Sequence, residues 1–169
     1  MAKLIPGKEE FFETLRYFRN QLERLGVNVQ LNTRVNAEQL IDAGFDEIIL
    51  ATGIVPRIPD IPGIEHPKVL SYLDAILGRK PVGQCVAVMG AGGIGFDVAE
   101  LLTHQGESAS LNKELFWREW GIDQALQARG GVAGVEPQIP SSPRTLYLLQ
   151  RKSSKVGAGV GATTGWIDR

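Results

Sequence analysis

The feature that most constrains this fold is a glycine-rich turn within residues 84–102, between an apolar strand pattern and an amphipathic helix pattern. Its glycines follow the spacing G-x-G-x-x-G at Gly90, Gly92 and Gly95. In this arrangement the first glycine permits a sharp exit from the strand, and the second lets a pyrophosphate approach the backbone. The third lets the helix pack close to the strand. The free N–H groups and the positive dipole end of the helix then face the phosphates.

This stretch predicts a dinucleotide-binding turn. The alternative is a tight structural turn in another kind of α/β protein. The residues expected to surround the pyrophosphate are Gly90, Ala91, Gly92, Gly93, Ile94 and Gly95.

Composition narrows the class of protein. The 169 residues correspond to one domain or two small pieces, and 43% hydrophobic with 22% charged residues is typical of a globular chain with a core. A net charge of −1 argues against a nucleic-acid surface. No apolar run approaches the roughly 20 residues of a membrane span, and no signal peptide opens the sequence. We therefore expect a cytoplasmic protein that binds neither nucleic acid nor membrane.

The single cysteine, Cys85, lies inside the strand pattern before the glycine turn. One cysteine provides neither a disulfide framework nor a cysteine-based zinc site. We expect it to be a small core residue, and we predict no metal site.

Before the turn, two helix patterns alternate with two strand patterns. Apolar residues recur at helical spacing over residues 8–25, and a short helix is predicted over Ala37–Asp42. Alternation from Val27 to Leu31 and the apolar run 47–51 predict strands, the second typical of a parallel strand covered on both faces.

The second of these strands closes on Ala51-Thr52-Gly53. A-T-G at a strand end belongs to the pattern of two-dinucleotide flavoproteins, in which small residues let the backbone lie against the flavin nucleotide. A plain strand-end turn is the alternative. Because the dinucleotide turn comes later in the chain, we predict that Thr52 and Gly53 contact FAD.

Prolines and Gly63 then predict an extended connector, and Ser71 with Asp74 predicts a capping box for a helix over residues 72–77. The next convincing strand after the glycine turn is 145–149, so residues 104–143 are predicted to be an insertion. The insertion holds a helical pattern, Leu111–Trp120. We expect its aromatic residues to pack against the host domain, with docking of a partner as the alternative; they are Phe116, Trp117 and Trp120.

The end of the 145–149 strand carries cations. An NAD-specific domain places a carboxylate about 20 positions past the glycines to bind the ribose. In this sequence Gln150 is followed by Arg151, Lys152 and Lys155. Cations at this point attract a 2′-phosphate, and Arg holds it with two parallel bonds. We predict NADP rather than NAD, against the alternative of solvated loop charges. The glycine-rich loop 156–165 is expected to close over a phosphate or to act as a flexible linker.

Together these patterns predict an α/β fold, a Rossmann-like parallel sheet with helices on both faces. The sequence opens directly on a helix pattern and closes where another begins, so the sheet is expected to be incomplete and the chain a fragment. Missing strands leave open sheet edges. We therefore predict self-association.

The sequence resembles the bacterial 2,4-dienoyl-CoA reductases (NADPH), iron–sulfur flavoenzymes of unsaturated fatty-acid β-oxidation, over essentially its whole length. The E-W-G-I-D segment lies inside the insertion and makes the resemblance specific to this group of reductases. The segments that carry the resemblance are 5–11, 53–57, 66–74, 92–97, Glu119-Trp120-Gly121-Ile122-Asp123, 149–152, 154–155 and 163–166.

The resemblance implies a longer enzyme in which a TIM barrel holds FMN, a four-iron cluster and the catalytic acid. An FAD domain and an NADPH domain inserted in it lie behind the barrel. Residues 1–80 would be the C-terminal part of the FAD domain with the connector. Residues 81–169 would be the first half of the NADPH domain, with insertion 104–143. The FMN and cluster sites would lie outside this chain, so no catalytic residue is assigned to it. Its partners would be NADPH, FAD and the rest of the parent enzyme.

Two other interpretations stay open. The chain could be a standalone nucleotide-binding module without catalytic activity, acting as a sensor or a subunit. It could also come from another barrel–flavin dehydrogenase with the same A-T-G and G-x-G-x-x-G layout, although the E-W-G-I-D insertion argues against this.

Overall fold

A computed structural model describes residues 1–131 and 134–158. The chain forms two compact units. The first contains Met1–Leu15 together with Leu70–Arg169, and the second is Arg16–Val69. The predicted division into 1–80 and 81–169 as FAD and NADPH segments stays a prediction.

The first unit contains a two-stranded parallel sheet. Strand β1 (Cys85–Met89) pairs in register with strand β2 (Thr145–Leu149), so that Ala87 lies opposite Tyr147. Helix α4 (Gly93–Thr103) follows β1 and contacts both strands. A parallel pair with a helix packed on it is the start of a Rossmann-like sheet. The predicted α/β fold and both of these strands are confirmed.

Only one face of the sheet is covered within the described residues. Inward-facing side chains such as Val88 and Leu148 are half-buried, and the core lies on this side, where α4 contributes Phe96, Val98 and Leu102. The opposite face is bare; its residues are Cys85, Ala87, Met89, Thr145, Tyr147 and Leu149. The predicted Rossmann-like sheet is thus partial, and helix α4 covers one of its faces in the described residues.

Cys85 is exposed, which corrects its prediction as a core residue. The strand itself is correctly predicted, but Cys85 belongs to its uncovered face. Successive side chains of a strand point to opposite faces, so burial depends on what covers each face.

Residues 104–144 connect α4 to β2 and contain helix α5 (Lys113–Trp120). Asn112 begins α5 by accepting hydrogen bonds from the Glu114 and Leu115 amides. Gly121 ends it in the left-handed conformation, at φ 64°. A Cβ at Gly121 would lie 2.8 Å from the backbone nitrogen of Pro137, because residues 135–138 fold back onto the end of α5. The predicted helix is confirmed with a slightly later start.

The aromatic residues of α5 are partly buried. The rings of Phe116 and Trp120 lie 5.7 Å apart, and both residues stay more than a third exposed. Lys113 places its ammonium 5.7 Å from the ring of Trp117, which is half-buried. Phe116 and Trp120 also line a groove of about 780 Å³ with residues 6–11 and the end of α4.

The first eleven residues pack on the sheet unit. Ile5 is 1% exposed, and the backbone amide of Gly7 donates a 3.1 Å hydrogen bond to Ser108 Oγ. Lys8 reaches α4, where its Nζ lies 2.5 Å from Asp97 Oδ1. Helix α3 (Tyr72–Ile76) also contacts α4. The predicted capping box at its start, between Ser71 and Asp74, is confirmed.

Helix α1 (Phe11–Arg24) crosses from the first unit into the second, which also contains α2 (Ala37–Asp42). Both helices are as predicted, apart from a later start of α1. The predicted strands 27–31 and 47–51 are not formed. A strand needs a neighbouring strand to receive its backbone hydrogen bonds, and neither segment has one within the described residues.

Candidate dinucleotide-binding site

The glycine turn joins the carboxyl end of β1 to the start of α4. Gly90 has φ +122°, which an L side chain rarely adopts, so glycine is required there. Its backbone amide donates a 2.9 Å hydrogen bond to the carbonyl oxygen of Leu149. This bond fixes the turn beside the end of β2, where Gln150 and the cations begin.

Gly95 permits the close contact between α4 and the turn. A Cβ at this position would lie 1.8 Å from the carbonyl oxygen of Gly90 and 3.6 Å from Leu148 Cδ1. No side chain fits there without a backbone shift. The third glycine therefore has the packing role that the sequence predicts for it.

Helix α4 begins without a side-chain cap. Helices α2, α3 and α5 each start at a residue whose side chain accepts a hydrogen bond from the first turn, namely Asn36, Ser71 and Asn112. Helix α4 starts at Gly92, which has no such bond. Gly92 has an ordinary φ of −96°, and no atom of residues 1–131 or 134–158 lies within 4 Å of where its Cβ would be. The first turn of α4 thus offers backbone N–H groups to an anion, with open space in front of Gly92.

The loop after β2 presents the predicted cations. Gln150 folds this loop by donating hydrogen bonds from Nε2 to the carbonyl oxygens of Lys152, at 2.9 Å, and Ser154, at 2.5 Å. Arg151 and Lys152 are exposed and make no ion pair within the described residues. Lys155 is exposed as well. The glycine-rich loop predicted over 156–165 lies outside the described residues from position 159 onward.

Acidic residues are absent from the segment that contains β1 and the glycine turn, and from the segment that contains β2 and the loop after it. Neither 84–96 nor 144–158 contains an aspartate or a glutamate. Three cations follow β2, namely Arg151, Lys152 and Lys155, whereas Arg144 precedes β2 and bonds to Leu102 and Gly83 instead. Such a combination favours a ligand that carries several negative charges.

Thr52 and Gly53 lie in the second unit, Arg16–Val69. Both are exposed, and Gly53 has φ +78°. The strand expected before them is not formed, so the A-T-G segment lies in irregular backbone. Their predicted contact with FAD stays a prediction.

Sequence patterns did not predict two long-range contacts of helix α4. Lys8 pairs with Asp97 across 89 residues, and Arg144 donates to the carbonyl oxygens of Leu102 (3.0 Å) and Gly83 (3.2 Å). Arg144 thereby joins the carboxyl end of α4 to the segment before β1. The sequence holds no local signal for either contact, although Lys8 belongs to a segment that carries the family resemblance.

Two carboxyl groups have perturbed pKa values. The hydroxyl of Ser71, in the α3 capping box, is the main cause of the lowered pKa of Asp74. Burial raises the pKa of Glu9, but hydrogen bonds from Ser110, Ser108 and nearby backbone amides lower it by more, so it lies below its usual value. The carboxylate of Asp74 stabilises the start of α3, and that of Glu9 accepts a hydrogen bond from Ser110.

Within residues 1–131 and 134–158, no group of three or more His, Cys, Asp or Glu side chains is arranged to hold a metal ion. In the same residues, no helix combines the length and the apolar character needed to span a bilayer.

Comparison with known proteins identifies the family. The family model described as pyridine nucleotide-disulphide oxidoreductase matches residues 27–115, which include Thr52, Gly53 and the whole glycine turn. The chain belongs to this family. A domain of the pyridine nucleotide-disulphide oxidoreductase family implies FAD and NAD(P) as its nucleotides.

Curated relatives of this oxidoreductase domain include a metal reductase of Desulforamulus reducens, 33% identical over 118 residues, and a cinnamate reductase of Clostridium sporogenes, 33% identical over 115 residues. The matches cover 68% and 65% of this chain and 17% of each relative. The chain therefore spans about a sixth of the length of these relatives.

A solved structure of 2-naphthoyl-CoA reductase in complex with 2-naphthoyl-CoA matches 95% of this chain and 28% of its own chain, with a TM-score of 0.55. The sequences are 19% identical. This similarity shows the fold.

Proposed function

We propose that this chain is the nucleotide-binding segment of an NADPH-dependent flavoprotein oxidoreductase that reduces 2,4-dienoyl-CoA thioesters. The first turn of α4 binds the pyrophosphate of NADPH. Arg151 and Lys155, with Lys152, bind the 2′-phosphate, and Thr52 and Gly53 contact FAD. Bound NADPH supplies a hydride to FAD, and this chain supplies orientation and charge.

The observation that carries the proposal is the hydrogen bond from the Gly90 amide to the Leu149 carbonyl. It holds an uncapped helix start and the cationic loop after β2 at the same end of the sheet. Ligands of parallel α/β sheets bind at the carboxyl ends of the strands. A dinucleotide with its pyrophosphate on α4 therefore extends its adenosine ribose toward Arg151.

The preference for NADP rests on the residues of the loop after β2. Gln150 uses its side-chain amide to fold the loop and brings no negative charge. A carboxylate there would bind the ribose hydroxyls of NAD and repel a 2′-phosphate. The exposed guanidinium of Arg151 is suited to bind the 2′-phosphate with two hydrogen bonds.

The dienoyl-CoA substrate is proposed from the sequence resemblance, above all its E-W-G-I-D segment. In a parent protein as long as the relatives, the barrel with FMN and a four-iron cluster would lie outside this chain. In such a protein, addition of a 2,4-dienoyl-CoA should trigger NADPH oxidation, and cinnamate should not. Oxidation triggered by cinnamate alone would contradict the substrate assignment.

The bare sheet face supports a partner for this segment. We propose that the remaining domain of the parent enzyme covers Met89, Tyr147 and their neighbours, and that the isolated chain self-associates through its open strand edges. A strictly monomeric mass at high concentration, measured by light scattering, would contradict self-association.

The cofactor proposal is tested by calorimetric titration of the chain with NADP⁺ and NAD⁺. We expect tighter binding of NADP⁺. Arg151→Ala should weaken NADP⁺ about tenfold to a hundredfold, because a hydrogen bond to a charged group contributes about 1.5–3 kcal/mol. Its affinity for NAD⁺ should change little, because NAD⁺ has no 2′-phosphate.

Arg79→Ala is the matched control, since Arg79 precedes β1 and lies far from the carboxyl ends of the strands. It should leave both affinities unchanged. A preference for NAD⁺, or an equal loss of NADP⁺ binding in both variants, would overturn the assignment of Arg151. Absence of binding to either nucleotide would contradict the proposal that this segment binds them by itself.

A further inference from the structure

Lys8 and Asp97 form a largely buried ion pair on the phosphate-binding helix. Lys8 Nζ lies 2.5 Å from Asp97 Oδ1, and the two side chains are 6% and 17% exposed. Lys8 comes from the N-terminal segment, whereas Asp97 belongs to α4. An exposed ion pair contributes little, but the field of a buried charge is weakly screened by solvent.

Asp97 is the first acidic residue after the glycine turn. It lies four residues beyond Gly93, about 6 Å along the axis of an α-helix. A bound dinucleotide places a doubly charged pyrophosphate at the start of this helix. An uncompensated carboxylate within about one Debye length of these phosphates would oppose their binding.

We propose that Lys8 determines dinucleotide affinity without touching the nucleotide, by neutralising Asp97 beneath the phosphate-binding turn. The N-terminal segment thereby becomes part of the nucleotide site. The inference rests on the proposed function, because it requires a pyrophosphate at the start of α4. The competing explanation is a purely structural latch that holds residues 1–10 against α4.

The two explanations predict different orders of affinity. If charge matters, Lys8→Met removes one positive charge and weakens NADP⁺ binding roughly fivefold. Asp97→Asn removes one negative charge and strengthens NADP⁺ binding by a similar factor. The double variant has the same net charge as the wild type and binds NADP⁺ with the same affinity. If the pair is only a latch, both single variants and the double variant weaken binding alike.

Calorimetric titration of NADP⁺ into the wild type and the three variants decides between them. Lys80→Met is the matched control. Lys80 also pairs with a carboxylate, Asp74, at 3.5 Å, but it is exposed and lies before β1. The strand separates it from the turn by about 16 Å, so the affinity of this control variant should equal that of the wild type.

Each outcome is decisive. If Asp97→Asn weakens NADP⁺ binding, or if the double variant does not recover the wild-type affinity, the role of Lys8 is overturned. The proposed nucleotide site is unaffected by either result. If Lys8→Met does not fold, Asp97→Asn decides by itself, because the proposal requires this variant to bind NADP⁺ more tightly than the wild type does. If neither single variant folds, the double variant decides, because it must match the wild type. Lack of NADP⁺ binding by the wild type overturns the proposed function and this inference together.

Discussion

At the scale of single residues, two glycines of the turn, Gly95 and Gly92, differ in why a glycine occupies the position. At Gly95 the reason is internal, because the carbonyl oxygen of Gly90 occupies the space of a side chain. At Gly92 the described residues give no internal reason, since its φ is ordinary and no described atom lies near the place of a Cβ. This contrast supports the proposed contact between Gly92 and a pyrophosphate.

This contrast gives a matched pair of substitutions. Gly95→Ala should lower the free energy of unfolding by roughly 1–3 kcal/mol or more, because α4 must move away from the turn. Gly92→Ala should leave stability unchanged or slightly raised but weaken NADP⁺ binding. Urea denaturation followed by tryptophan fluorescence measures the first effect, and calorimetry the second. Equal stability of the two variants would contradict the packing role of Gly95.

Residue patterns predicted the turn correctly because all its requirements lie within six consecutive positions. They were wrong for Cys85, which belongs to the uncovered sheet face. Periodicity states which side chains share a face of a strand, but not whether another element covers that face. The roles of Lys8 and Arg144 were not predictable either, because their partners lie 89 and 42 residues away.

At the scale of elements, local signals predicted each α-helix and β-strand of the described residues. Helices α2, α3 and α5 begin at side-chain caps that a few neighbouring residues specify. The strands β1 and β2 form because they pair with each other. Segments 27–31 and 47–51 have equally good strand patterns, but their backbone groups have no neighbouring strand to bond within the described residues.

Contacts between the N-terminal segment and residues 108–110 make stability depend on pH. Ser110 Oγ lies 2.5 Å from Glu9 Oε2, and together with other hydrogen bonds it keeps the pKa of Glu9 below 4.5 against the effect of burial. Because the folded state binds this proton less readily than the unfolded state, Glu9 stabilises the fold above about pH 4.5. This contribution is lost as the pH falls through the lowered pKa.

Ser110→Ala tests this contribution. Removal of the hydroxyl should raise the pKa of Glu9, so the variant should lose stability relative to the wild type at neutral pH and converge with it in acid. Thermal unfolding between pH 7 and pH 3 measures the difference. In a Glu9→Gln background the same substitution should have no pH-dependent effect. A constant difference at every pH would contradict the role of Glu9.

At the scale of the whole molecule, the two units differ in their content of buried apolar side chains. Every buried apolar side chain of the described residues belongs to the first unit, with Ile5, Phe96, Val98 and Leu102 as its core. The described residues of Arg16–Val69 include none that is buried. Apolar side chains that the sequence assigns to strands and a helix face, such as Ile49 and Phe18, stay exposed. The chain spans about a sixth of its relatives' length. Its sequence predicts more buried apolar side chains than the described residues contain.

Hydrogen exchange should reveal this difference directly. Amides of β1 and β2 that bond across the sheet should exchange slowly, because exchange there requires separation of the strands. Amides of 47–51 should exchange quickly, since they have no ladder partner within the described residues and Ile49 is 89% exposed. Mass spectrometry of peptides from the two regions makes the comparison within one sample. Protection of 47–51 equal to that of β1 would contradict this expectation, because it would require the segment to pair in solution, for instance with a second copy of the chain.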